Sequence, residues 1–150
     1  MDADVIEIAE YLSRKEPSEM VNKAVSKKSI QKEIVKLNTV EQLGKFKDSN
    51  GRDLADVGGE YSETTQELKN VGPRDVDLKD TGDYWKTFEV NPLSNGDYEI
   101  DSDPLKQDFD GGIDLTERWG EDIEGLQPKN ENKVNELIEE EIWNQAEKSL

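Results

Sequence analysis

The chain has 150 residues and a formal charge of −17, with 37% of residues charged and 32% hydrophobic, so any core it builds is small for a single domain. It contains no cysteine and no histidine, which excludes disulfides, thiol nucleophiles, Cys/His zinc sites and histidine bases, and no enzyme is expected. No run of 18 apolar residues is present to span a membrane, and the acidic start "MDADVIEIAEYL" lacks a signal-peptide pattern, so use without export is expected.

The charge is unevenly spread. Residues 1–50 hold nine basic and nine acidic groups, whereas residues 51–150 hold ten basic and 27 acidic ones. The whole surplus therefore lies in the C-terminal two-thirds. That field disfavours direct contact with nucleic acid or with an anionic lipid surface.

In chain order, Val5, Ile8, Ala9 and Leu12 make one apolar helical stripe over residues 4–12. "RKEPS" interrupts it, because a residue before proline disfavours helix. Ser18 is a fair N-cap for one longer helix, "SEMVNKAVSKKSIQKEIVKL", whose apolar positions form a drifting face. On it Lys28, Lys32 and Lys36 form one row and Lys23 and Lys27 a second. Such rows are either a solvated face or a contact for an acidic surface, which this chain itself supplies. Thr39 and Gln42 stand in capping-box spacing and predict a short helix starting at Thr39. "DSNGRDLADVGGEYSETT" reads as a loop leading into a polar turn or short helix near residues 62–69.

The middle of the chain, "KDTGDYWKTFEV", turns to period two, with Phe88 and Val90 on one face. "DYEID" repeats that alternation with Tyr98 and Ile100, and Asn95-Gly96 closes the loop between them, which predicts a β-hairpin over about residues 85–101. Thr81 and Gly82 are read as the turn delivering Tyr84 and Trp85 to it, and these aromatics as core. "DLTERWG" predicts two helical turns carrying Trp119, capped by Asp114 or Thr116 and stopped by Gly120. Residues 131–148 form the cleanest helix, with Asn130 or Asn132 as cap and Trp143 on it. The expected fold class is α+β: N-terminal helices, a small antiparallel sheet built on the hairpin, and a C-terminal amphipathic helix. It forms a single domain over 1–150, with 1–17 as an arm and 127–150 as a helix docking on its own chain or on a neighbour.

Candidate chemistry is sparse. Asp80-Thr81-Gly82 matches the loop of an aspartic protease only as a triplet, since Lys79 and Asp83 flank it and no second copy exists. "DFDGGIDLTE" fails the calcium-loop register, because Gly112 and Ile113 occupy positions five and six counted from Asp108. Neither Gly58-Gly59 nor Gly111-Gly112 is followed by the Gly-Lys-Ser/Thr of a phosphate loop. No catalytic residue, metal ligand or cofactor site is assigned.

Three segments carry a resemblance. They are "LNTVEQLGKFKDSNGRDL" (37–54), the Asp80, Thr81, Gly82, Asp83, Tyr84, Trp85, Thr87, Phe88, Val90 pattern, and "DLTERWGEDIEGL" (114–126). In that order they resemble small bacteriophage virion structural proteins of the neck, head–tail joining and tail-completion group. The likeness runs over about residues 30–140; the acidic excess and "DVGGEYSETT" depart from it. It implies an α+β fold and a non-enzymatic ring subunit joined to copies of itself and to portal, connector or tail proteins. It also implies residence in the virion after synthesis in the bacterial host cytoplasm. Lys23, Lys27, Lys28, Lys32, Lys36 and Trp143 are the expected interface. The alternative from the acidic surplus is an inhibitor or DNA mimic that binds a basic host partner.

Overall fold

The structure is a computed structural model that describes residues 4–79, 83–106 and 113–150. Within them the fold is α+β, as the sequence predicts: eight α-helices and two antiparallel two-stranded ribbons. Thr81 and Gly82 lie outside the described residues, as does most of the calcium-like stretch.

Helix α1 (Val5–Ser13) starts where Asp4 caps it by accepting from the Ile6 amide. The expected long helix is two: α2 (Pro17–Val25) and α3 (Lys28–Asn38). Phase explains the break. In one continuous helix Val25 and Ile34, nine residues apart, would point to opposite sides at ~100° per residue. Turning the chain at Ser26 and Lys27 places both in the same core, where each is fully buried. Glu16 rather than Ser18 is the N-cap of α2, with Pro17 in the first turn, where its missing N–H costs nothing.

No helix starts at Thr39. That residue closes α3, its hydroxyl donating to the Val35 carbonyl at 2.8 Å. A 3₁₀ turn, Leu43–Lys45, follows instead. Within the expected loop lies α4 (Leu54–Gly58), and α5 (Glu63–Lys69) is capped by Ser62.

The aromatic stretch also differs from expectation. Asp83–Lys86 forms a short helix, α6, so Tyr84 and Trp85 sit on a helical turn, and Thr87 closes it by bonding the Tyr84 carbonyl. Strand β1 (Glu89–Pro92) begins only afterwards and pairs with β2 (Tyr98–Asp101), Val90 opposite Ile100. Two aromatics and a threonine hydroxyl allow a tight helical turn that alternation alone does not reveal. A second ribbon, β3 (Leu105–Lys106) with β4 (Ile113–Asp114), leads into α7 (Leu115–Trp119), whose Asp114 cap and Gly120 stop are those expected. Helix α8 (Pro128–Ser149) starts three residues earlier than the pattern suggests, capped by Gln127 with Pro128 in its first turn. Asn130 is no cap; it is buried.

Apolar residues collect in two clusters. One joins α2, α3, β1 and α8 through Val25, Ile34, Val90, Val134 and Ile138. The other joins the middle of the chain through Leu43, Leu54, Val76, Phe88, Leu115, Trp119 and Ile123. Half-buried Val35 and Ile100 touch both. Helix α8 packs on α1, α2 and α3 of its own chain.

A polar clasp closes the centre. Buried Gln42 donates to the Gly125 carbonyl at 2.6 Å and accepts from the Gln127 amide at 2.9 Å and from Asn130 at 3.3 Å. Buried Asn38 holds the Ile123 carbonyl and the Gly125 amide. Below it, the Asp48 carboxylate accepts from the Asn50 and Arg52 amides and from the Arg52 guanidinium, while Arg52 also reaches Asp122 at 3.1 Å. Residues 38–52 and 122–130, far apart in sequence, are thereby tied together with their buried polar groups satisfied.

Candidate functional site

The lysines of α3 are built by the same phase argument that buries its other side. Ile30, Ile34, Leu37 and Asn38 face the core, which turns Lys28, Lys32 and Lys36 outward on the opposite side, all exposed. Over eight residues the row is about 12 Å long. None of the three is ion-paired among the described residues. Lys23 on α2 is also exposed and outside every such pair.

Lys27 belongs elsewhere. At the α2–α3 corner it donates to Glu141 of α8 at 2.9 Å, and Gln145 bonds the other carboxylate oxygen. Glu141, on the apolar side of α8, is almost fully buried. Burial alone would raise its pKa, yet the hydrogen bonds from Lys27 and Gln145 and the charges of Lys27 and Lys148 outweigh it and hold the carboxyl below its ordinary value. Of the expected interface residues, Lys27 is thus spent inside the chain as the bolt that fixes α8 in place.

The second surface is a cleft between the hairpin and α8. At one end a cavity of about 320 Å³ is lined by Val21, Tyr98, Ile138, Ile142 and Trp143, with Asp97 and Glu139 beside them. At the other a cavity of about 450 Å³ is lined by Ile100, Leu126, Glu124 and Glu131. Asp97, Tyr98 and Asn135 line both, so the two form one trough with Tyr98 as its middle wall. Trp143 is half-buried there, which places it beside apolar neighbours and away from the lysine row.

The acidic end is dense in carboxylates. Burial raises the Glu124 pKa above its ordinary value, and the charges of Asp101, Glu121 and Glu99 add to this; the Ser102 hydroxyl, donating to Glu124 at 2.6 Å, opposes it. Tyr84 lies 3.0 Å from that same hydroxyl. Burial, with Glu131 and Asp97, pushes the Tyr98 phenol up to about 12. Among the described residues none of Asp97, Glu99, Asp101, Glu121, Glu124 and Glu131 is ion-paired with a lysine or arginine. No group of three or more metal-ligating side chains capable of holding an ion occurs among the described residues.

The expected core residues are placed as follows. Phe88, Val90 and Trp119 are buried, and Tyr84, Trp85, Tyr98 and Ile100 are half-buried. Tyr84 packs edge-on against Phe88 with ring centroids 5.1 Å apart, and the Trp85 indole donates to the Asp77 carbonyl at 3.0 Å. Trp119 lies against Gly58, where an added Cβ would come within 2.4 Å of the indole. That contact, and not phosphate binding, is what Gly58 serves.

Sequence reasoning missed the cleft. Its one signal was that Glu131, Asn135, Ile138 and Ile142 recur at helical spacing along one edge of α8. Nothing local says that the hairpin will lie beside that edge. Compared with protein-family models, with curated proteins and with solved structures, the chain matches none, so the site is read from its own chemistry.

Proposed function

We propose that the protein is a non-catalytic assembly subunit of a bacteriophage virion, a ring component of the neck or tail-completion region. Its copies join each other, and portal, connector or tail proteins, through heterologous and partly electrostatic contacts. The single observation that carries the assembly reading is the unpaired Lys28–Lys32–Lys36 row on a chain whose remaining surface is strongly acidic. The row points away from its own core, so an acidic partner for it has to come from another molecule. A contact between two different surfaces of identical subunits is heterologous, and it closes into a ring when the rotation allows. The virion setting is supported by the ordered resemblance of the three segments described above.

Magnitudes limit what the lysines do. An exposed ion pair contributes about 0.2–1 kcal/mol, so three of them supply roughly 1–3 kcal/mol, whereas micromolar association needs about 8 kcal/mol. The lysines therefore steer the encounter and set its register, and apolar contact supplies the remainder.

The test is sedimentation of the purified chain. Species larger than a monomer are expected at about 50 mM salt and should shrink at about 500 mM, where screening shortens the electrostatic range. Reversal of Lys28, Lys32 and Lys36 to glutamate should abolish them. A monomer at every concentration in low salt overturns self-assembly. Genes for portal, capsid and tail proteins flanking this one would bear out the virion setting, and their absence would count against it.

A further inference from the structure

We propose that the trough between the hairpin and α8 is the seat for the α3 lysine row of a neighbouring copy; this rests on the assembly reading above and names its receiving surface. The trough has two unlike ends. Val21, Ile142 and Trp143 make one apolar, and Glu124 and Glu131 make the other acidic, with Tyr98 between them. A matching occupant has to present cations and, next to them, an apolar side chain.

The α3 edge does so. Lys28, Lys32 and Lys36 run along it in four-residue steps, and the next step is Val40, which is 47% exposed. Other exposed apolar segments of the chain do not fit. Val5 and Ile6 on α1 stand among Asp4, Glu7 and Glu10, and the β3–β4 ribbon carries Leu105 and Ile113 between Asp103 and Asp114. Each would bring carboxylates to an acidic trough, and like charges brought together oppose binding. Nor does the row fill its own trough, because Ile30, Ile34 and Leu37 hold the opposite side of α3 against the core. The seating is therefore between copies, and it joins the steering charges to the apolar contact that charge pairs alone lack.

The chain's freedom from cysteine makes the test direct. Lys32→Cys and Asn135→Cys, both at exposed positions, are prepared separately, mixed at low salt and treated with a short bismaleimide. The expected product is a hetero-crosslinked dimer in the mixture and little crosslinking in either variant alone. Salt-sensitive oligomers in the mixture without that product overturn the trough and leave the assembly reading standing. Absence of salt-sensitive oligomers overturns both. Strong crosslinking of Asn135→Cys to itself, trough to trough, also overturns the proposal. As an independent arm, Lys32→Glu and Glu131→Lys should each weaken self-association about tenfold, and the double variant should recover most of it. Failure of that recovery, with helical content unchanged by circular dichroism, counts against the pairing.

Discussion

Glu141 shows how one side chain joins fold and charge. It occupies an apolar-face position of α8, where a carboxylate survives because Lys27 and Gln145 bond it. Its pKa is held below the ordinary 4.5 of a glutamate. A depressed folded-state value means that the contribution is complete above the unfolded value and is lost as pH falls through the folded one. Glu141→Gln is therefore expected to lower Tm by a few degrees near neutrality and by progressively less below about pH 4.5. Thermal melts of both proteins across pH 3 to 7 check this; parallel curves over the whole range would contradict it. Glu124 has the opposite sign. Its raised pKa makes the ionised form a cost to the fold above that value, the kind of cost that a cationic neighbour offsets.

At the scale of elements, the loops are fixed by polar groups more than by apolar ones. Gln42 satisfies Gly125, Gln127 and Asn130 at once. Gln42→Leu keeps the volume and leaves these groups buried without partners. The expected loss is about 3 kcal/mol, roughly 6–12 °C in Tm, read by calorimetry; a loss under 1 kcal/mol would mean that water replaces the amide. The helices whose ends are written locally were legible from sequence. Asp4, Ser62 and Asp114 each accept a backbone hydrogen bond within three residues. The break between α2 and α3 was not legible, since it depends on where α8 lies. Nor was α6, whose aromatics also fit a strand.

For the whole molecule, stability should be graded. Ile8, the one buried residue of α1, lies outside both apolar clusters, and Val5 and Ile6 are 70% and 66% exposed. Helices α3 and α8, by contrast, bury Ile34 and Val134 completely in the first cluster. Native-state hydrogen exchange is expected to open α1 first and the α3–α8 pair last. Protection of α1 equal to that of α3 would refute this ordering. The arm expected over residues 1–17 corresponds to this weakly held first helix and the chain leading into α2.

The sequence by itself determined the fold class, the caps of α1, α5 and α7, the Asn-Gly hairpin loop, the terminal helix and the lysine row. All of these are written within a few residues, by periodicity, capping chemistry or backbone freedom. Only the tertiary structure decided that Lys27 would be taken by Glu141, that Gly58 would make room for Trp119, and that hairpin and α8 would enclose a trough. Each of those joins residues from 45 to 114 positions apart. Such pairings follow from how two apolar clusters share one small volume, and no local pattern records them.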